Sequence, residues 1–172
     1  MRERALRLCL NLLGISLLVL MLAIVIQVLC SALDINPVAT FLDDKPILGR
    51  AITLNSLLDF QWHLLVLVGI LPAGMVWLID RHVRVDFFYR GFTQRRKRAI
   101  NFVGNCLFAA PFFALVLPAS IKFLQRAWSS DEGSPNDGLN DLWLIKSVLS
   151  VGLGLFALCV LVETIRLVRA RL

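Results

Sequence analysis

The residue types that carry out catalysis or bind metal ions are few in this sequence and lie far apart. The two histidines, His63 and His82, are separated by 19 positions, which is about 28 Å on a straight helix. One haem or one metal ion cannot bind both side chains over that distance. The sequence also contains no Ser-His-Asp set, no phosphate-binding loop and no suitably spaced pair of carboxylates. We therefore predict that the protein is not an enzyme and holds no cofactor or metal.

The four cysteines are not arranged for redox or metal chemistry either. Cys9 and Cys30 lie near opposite ends of one apolar run and would be about 30 Å apart on a helix. That separation is far beyond the reach of a disulfide bond. Cys106 and Cys159 fall inside later apolar runs, where a small, soft side chain is ordinary packing material. We interpret all four as packing residues.

The composition is that of a membrane protein. Hydrophobic residues make up 58% of the 172 residues and charged residues 17%, against about 45–50% and about 25% in soluble globular proteins. A soluble domain of this size cannot bury so much apolar surface in one core, so lipid must cover the remainder. The net charge of +6 would suit nucleic-acid binding. Because the basic residues gather in short segments between apolar runs, we predict no nucleic-acid partner.

Four apolar runs are long enough to cross a bilayer as helices, at about residues 8–32, 57–79, 99–124 and 141–165. The sequence therefore predicts an all-α integral membrane protein with one membrane domain over residues 1–172. A cleaved signal peptide is the alternative for the first run, which is preceded by three arginines. That run is much longer than the apolar core of a signal peptide, so we retain it as a helix. Pro111 and Pro118 predict a kink in the third helix, and Ser56 to Asp59 fit a capping box at the start of the second.

The lysines and arginines are unevenly distributed between the two ends of these helices. Thirteen of the 18 lie before the first helix, in the basic segment 80–98 or after the fourth helix. By the positive-inside rule both termini and the 80–98 loop are predicted to be cytoplasmic, and the loops 33–55 and 125–140 to lie on the outer side. Within the basic loop we interpret four residues as a topology determinant that contacts lipid phosphates: Arg95, Arg96, Lys97 and Arg98.

The middle of each predicted helix lacks Asp, Glu, Lys, Arg and His. Proton relays, ion sites and sites for charged substrates need such groups or broken helices with exposed backbone. This absence argues against a small homo-oligomeric transporter or channel. If the chain takes part in transport, we expect a partner to carry the path.

Three stretches carry a resemblance to a known family: Asp59 to Leu64, His82 to Tyr89, and Trp128 to Lys146, which includes Glu132, Ser134 and Gly138-Leu139. With the four-helix layout, they resemble the small permease (Q) subunit of tripartite ATP-independent periplasmic (TRAP) transporters. The likeness covers about residues 56–165. The sequence departs from the family pattern at Asn140 and Leu142 within the third stretch and at Ser150 just after it.

The resemblance implies a three-part uptake system in the bacterial inner membrane, with the two outer loops in the periplasm. A periplasmic binding protein that docks transiently captures an organic acid. A large membrane subunit of about twelve helices then moves it, driven by an ion gradient. The small subunit is a scaffold beside the large one. The alternative is a stand-alone structural or assembly protein of the membrane.

The resemblance also selects candidate partner-interface residues: Asp59, Gln61, Trp62, His63, Arg84, Asp86, Trp143 and Lys146. The first four have a structural alternative as a helix cap with interfacial anchors. Arg84 and Asp86 are expected to pair with each other or with the large subunit, unless Arg84 extends toward lipid headgroups. The Lys146 ammonium must either reach the membrane surface or find an oxygen on a neighbour. Glu132 and Ser134 are equally consistent with a docking loop and with a solvated one.

Overall fold

The computed structural model describes residues 2–83 and 87–169 and is mostly helical. The helices are α1 (Arg2–Ala32), α2 (Leu54–Ile70), α3 (Ala73–Leu78), α4 (Gln94–Gly104), α5 (Ala110–Ser129) and α6 (Trp143–Arg169). A 3-10 turn spans Tyr89–Gly91, and a π-helical segment, Asn105–Ala109, joins α4 to α5. The strands β1 (Ala39–Lys45) and β2 (Gly49–Ile52) pair as an antiparallel hairpin. The prediction of an all-α protein is therefore wrong in this segment.

Within residues 2–83 and 87–169, four helical spans are long and apolar enough to cross a membrane, which confirms their predicted number. They are Arg7–Ala32, Leu54–Leu78, Gln94–Ser129 and Trp143–Arg169. The third span begins inside the segment 80–98 that was predicted to be a loop. Glutamine, lysine and arginine are good helix formers, so the basic residues after Thr93 form the first turns of α4 instead of a coil.

The prolines coincide with irregularities in two of these spans. The second span is interrupted between Ile70 and Ala73, where Pro72 supplies no backbone N–H. In the third, the π-helical segment ends just before Pro111, and the Ala110 N–H reaches back five residues to the Asn105 carbonyl. The third span therefore contains a π turn near its midpoint, and Pro118 lies inside α5. The kink expected from Pro111 and Pro118 stays a prediction.

The internal contacts divide the chain into two compact units. One comprises Met1–Gly69 and Phe123–Val148, and the other comprises Ile70–Lys122 and Leu149–Leu172. The first unit contains the hairpin and the loop before α6. The second contains the basic segment and a core formed by Phe113, Leu153 and Val160.

The start of α2 is capped by Thr53. Its hydroxyl accepts a hydrogen bond from the Ser56 N–H at 3.1 Å, and the Thr53 N–H donates to the Ser56 hydroxyl at 3.2 Å. This is the reciprocal arrangement of a capping box. The predicted box from Ser56 to Asp59 is therefore wrong by three residues, and the Asp59 carboxylate is used elsewhere.

In the second unit, two glycines allow close contact between neighbouring helices. A Cβ at Gly74 in α3 would lie 2.9 Å from the Cys159 Sγ and 3.1 Å from the Phe156 Cα of α6. A Cβ at Gly152 would lie 2.7 Å from a methyl carbon of Ile70. Small residues at such crossings are typical of helices that pack in a membrane, because they let the backbones approach.

Candidate functional site

Asp59, in the second turn of α2, holds the loop that precedes α6. Its Oδ2 accepts a hydrogen bond from the Leu139 N–H at 3.1 Å, and Leu139 is buried. A Cβ on Gly138 would overlap the Asp59 carboxylate and lie 2.7 Å from the Ser134 hydroxyl. Position 138 therefore has to be a glycine for the carboxylate to reach the loop backbone. The stretch Gly138-Leu139, noted for its likeness to a family, is the part of the loop that α2 binds.

Lys146, in the first turns of α6, is held by the same loop. Only 8% of this residue is exposed. Its Nζ lies 2.5 Å from the Glu132 Oε2 and 3.9 Å from the centre of the Phe123 ring. Of the two alternatives for this ammonium, the structure places it on a carboxylate, and that carboxylate belongs to the same chain. We call Asp59, Glu132, Gly138, Leu139 and Lys146 the polar cluster.

The loop around the polar cluster is also bonded to itself. The Ser134 N–H donates to the Leu139 carbonyl at 2.9 Å, and the Leu142 N–H donates to the Glu132 carbonyl at 2.9 Å. These bonds close the loop over the charged pair, so Glu132 and Ser134 are not part of a freely solvated coil.

The same loop is joined to the start of α2 and to the hairpin. The Thr53 hydroxyl donates to the Asp137 carbonyl at 2.9 Å. The Asn140 N–H donates to the Ile47 carbonyl at 2.7 Å, and the Ile47 N–H donates to the Asp141 carboxylate at 3.3 Å. Loop, hairpin turn and helix start thus form one hydrogen-bonded assembly in the first unit.

Three further candidate residues of α2 lie beside the polar cluster. The Gln61 amide donates to the Gln27 side chain at 2.7 Å and to the Ala23 carbonyl at 3.3 Å, which links α2 to α1. The His63 Nδ1 lies 2.5 Å from the Asp59 carbonyl of its own helix. Trp62 is 59% exposed, and it borders a shallow apolar groove of about 220 Å³ between α1 and α2.

Trp143 closes the other side of the loop. Its indole N–H donates to the Asp141 carboxylate at 3.3 Å. Its ring meets the Trp128 ring edge to face, with centroids 4.6 Å apart. Trp128 is 64% exposed, and tryptophans are enriched where a membrane protein meets the membrane–water interface.

The structure does not bring all the candidates together. Arg84 and Asp86 lie outside the described residues. The preceding His82 belongs to the second unit, where its ring stacks on Phe156 at 5.8 Å and its Nε2 lies 3.1 Å from the Ala73 carbonyl. Among residues 2–83 and 87–169, no group of three His, Cys, Asp or Glu side chains could hold a metal ion.

The four basic residues of the topology determinant differ in their surroundings. Arg95, Arg96 and Arg98 are exposed, whereas Lys97 is half-buried. The Lys97 ammonium lies 5.2 Å from the centre of the Tyr89 ring, close enough for a cation–π contact.

Sequence reasoning missed how the residues of the polar cluster pair with one another. Asp59 and Lys146 were selected, but as residues that contact another subunit, and Gly138 was noted only for its family likeness. One signal for this pairing was available in the sequence. Lys146 lies at the start of an apolar run, and Glu132 lies 14 positions earlier in the same family-like stretch.

Comparison with known proteins gives one match. A sequence model of the family described as "Tripartite ATP-independent periplasmic transporters, DctQ component" matches residues 46–170. The matched range contains the whole polar cluster, the basic segment and three of the four membrane spans. No curated protein and no solved structure matches the chain. The match confirms the resemblance found in the three sequence stretches, and the chain belongs to the DctQ family as the small membrane subunit of a TRAP transporter.

Proposed function

We propose that this chain is a scaffold that supports the large membrane subunit of the transporter and does not itself carry substrate. The observation behind this proposal is the chemistry of the four spans. Between their ends, the segments 8–32, 64–78, 99–121 and 147–162 contain no Asp, Glu, Lys, Arg or His. A path for a charged substrate or a coupling ion normally uses such groups at mid-depth.

The hydrogen bonds of the mild polar residues in the spans support the same role. The Asn105 amide, which is buried, donates to the Thr164 hydroxyl at 2.9 Å, and that hydroxyl donates to the Val160 carbonyl at 2.8 Å. The Gln61 amide is occupied in the same way by Gln27. Polar groups that bond to a neighbouring helix stabilise helix packing, and they are then not available to bind a substrate.

The polar cluster refines how the candidate interface would work. Asp59, Gln61, Trp143 and Lys146 use their polar groups within the chain, so we propose that they act on a partner indirectly, by fixing the shape of the loop and the hairpin. Trp62, which is exposed, is the described candidate best suited to direct contact with another subunit. Large aromatic side chains are enriched at the centre of protein interfaces.

The remaining parts of the proposal rest on the family. We propose that the complete system takes up an organic acid across the bacterial inner membrane and is driven by an ion gradient. A periplasmic binding protein would select the acid and dock transiently. The description of the family as tripartite periplasmic transporters that are independent of ATP supports a system of several parts, and the acid, the ion gradient and the docking are what the family resemblance implies.

The proposed orientation puts both termini in the cytoplasm. Its support is the placement of 13 of the 18 lysines and arginines at the termini and in the segment 80–98. A reporter enzyme that works only in the cytoplasm is expected to be active when fused to the C-terminus. Activity of a periplasm-specific reporter at the same position would reverse the orientation.

Uptake by proteoliposomes tests the division of labour. The probe is the radiolabelled organic acid that the system's own binding protein retains in solution. Vesicles with this chain alone are expected to take up no more than empty vesicles. Vesicles that also contain the large subunit are expected to accumulate the acid when the binding protein and an imposed sodium gradient are present. Gradient-driven accumulation by this chain alone would contradict the scaffold proposal, and a preparation with the gradient collapsed by an ionophore is the control.

A further inference from the structure

In the second unit, the charged residues from position 87 to the end of α4 all have the same sign. Between residues 87 and 104 the sequence contains five basic residues and no acidic one. The basic residues are Arg90, Arg95, Arg96, Lys97 and Arg98. All except Lys97 are exposed. A cluster of this charge attracts anionic groups at a membrane surface.

The exposed face of α4 changes from basic to apolar along the helix. Residues three, four or seven positions apart share a face, so Arg96 lies on the same face as Ile100 and Val103, and Leu107 continues the line. Arg95 is the neighbour of Arg96 in sequence and is also exposed. These three apolar residues are 45%, 54% and 62% exposed. This arrangement matches a phospholipid. The arginines correspond to the phosphate at the membrane surface, and the exposed apolar side chains correspond to the acyl chains below it.

The opposite face of α4 turns toward the protein. Lys97, Asn101 and Asn105 are spaced by four positions and lie on this inner face. The Lys97 ammonium lies over the Tyr89 ring, and the Tyr89 hydroxyl donates to the side-chain amide oxygen (Oδ1) of Asn101 at 3.1 Å. Neighbouring residues of equal charge, Arg96 and Lys97, are therefore presented to different surroundings.

The approach to α4 adds two exposed aromatic rings. Phe87 and Phe88 are 82% and 78% exposed and meet edge to face with centroids 5.2 Å apart. These exposed rings lie next to basic residues. They are suited to the headgroup region of a bilayer, where aromatic rings contact lipid.

We propose that Arg95 and Arg96 form a binding site for the phosphate of an anionic phospholipid, whose acyl chains lie along Ile100, Val103 and Leu107. Guanidinium groups bind phosphate oxygens in a paired geometry, which a lysine cannot reproduce. The apolar line selects a lipid over free phosphate, because free phosphate has nothing to place there. The site does not depend on the scaffold role and can be tested without the other subunits.

Native mass spectrometry of the full-length chain in gentle detergent measures this binding, with phosphatidylglycerol and phosphatidylcholine as the titrated lipids. We expect a clear preference for phosphatidylglycerol. Removing the two charges in R95Q/R96Q is expected to weaken phosphatidylglycerol binding about 30-fold, and R96Q alone about fivefold. The matched control K97Q removes one charge from the adjacent position and is expected to change binding less than about twofold.

Two further arms decide the other outcomes. R95K/R96K keeps both charges but loses the paired geometry, so it is expected to bind phosphatidylglycerol more weakly than the wild-type chain and more strongly than R95Q/R96Q. This intermediate result separates lost binding from lost folding. Equal losses in R96Q and K97Q would mean a diffuse attraction and would overturn the site. Unchanged binding in R95Q/R96Q, or equal binding of the two lipids by the wild-type chain, would also overturn it. Complete displacement of phosphatidylglycerol by millimolar inorganic phosphate would show a site for the free ion instead.

Discussion

Replacing Glu132 by glutamine is expected to lower the free energy of unfolding by about 2–3 kcal/mol. Lys146, a residue only 8% exposed, then faces a neutral amide in place of the Glu132 carboxylate, and removing one partner of a buried ion pair is strongly destabilising. Breaking a fully buried ion pair costs about 3–5 kcal/mol. We expect a smaller loss here because the Glu132 side chain is 39% exposed and water can partly replace its carboxylate. Chemical unfolding of the detergent-purified chain, followed by tryptophan fluorescence, measures the loss.

A second ion pair, within α6, provides the control. Glu163 and Arg166 are 3.9 Å apart with side chains 33% and 64% exposed, so Glu163→Gln is expected to cost less than about 1 kcal/mol. The double variant E132Q/K146M removes both charges and is expected to recover part of the stability that E132Q loses. If E132Q costs no more than E163Q, the buried pair does not hold the loop.

Replacing Gly138 by alanine is expected to lower the free energy of unfolding by about 2–6 kcal/mol. The new methyl group would overlap the Asp59 carboxylate, and inserting a carbon into a filled site costs about 1–3 kcal/mol. Displacing Asp59 would also break its bond to the buried Leu139 N–H, and an unsatisfied buried donor costs about 1–3 kcal/mol more. The same unfolding measurement detects the effect.

Gly69→Ala is the matched control for this substitution. No described atom lies within 4 Å of a Cβ at Gly69 in α2, and alanine favours a helix over glycine by up to about 1 kcal/mol. G69A is therefore expected to be neutral or stabilising. In the double variant D59A/G138A the overlapping carboxylate is absent, so its loss of stability should be smaller than the sum of the two single losses. Strict additivity would mean that Gly138 is required for a reason other than Asp59.

The membrane spans could be predicted from the sequence because their length and composition decide them. An uninterrupted apolar run such as that before Ala32 has no stable place except a bilayer. The start of α4 could not be placed in the same way. The residues after Thr93 are both basic, which suggests a loop between spans, and good helix formers, and the structure follows the second property.

The hairpin and the polar cluster could not be predicted because contacts distant in sequence specify them. The strand Ala39–Lys45 lacks a regular apolar alternation, and its register with β2 shifts between Thr40 and Lys45. The contact of the hairpin turn with Asn140 supports it from another part of the chain. Likewise, two capping patterns of equal spacing begin at Thr53 and at Ser56. The Asp59 carboxylate accepts a hydrogen bond from the Leu139 N–H, 80 positions along the chain. It therefore does not cap the helix in the pattern that begins at Ser56.

These contacts give the scaffold proposal a physical form. The first unit has a loop whose charged and polar groups are bonded within the chain, with tryptophans exposed around it. The second unit has helices in glycine-mediated contact and a basic surface suited to lipid. Neither unit offers ionisable groups in the middle of a span. A subunit built in this way is suited to hold its position in the membrane and present a fixed surface to a partner.

The most direct test of this account is a pull-down of the tagged chain from its native membrane in gentle detergent, with mass spectrometry of the proteins that accompany it. The account predicts recovery of one polytopic protein of about twelve helices in near-equal amount, and reduced recovery when Trp62 is replaced by alanine. Recovery of the chain alone, or only as a homo-oligomer, while the large subunit is present in the same membrane would contradict it.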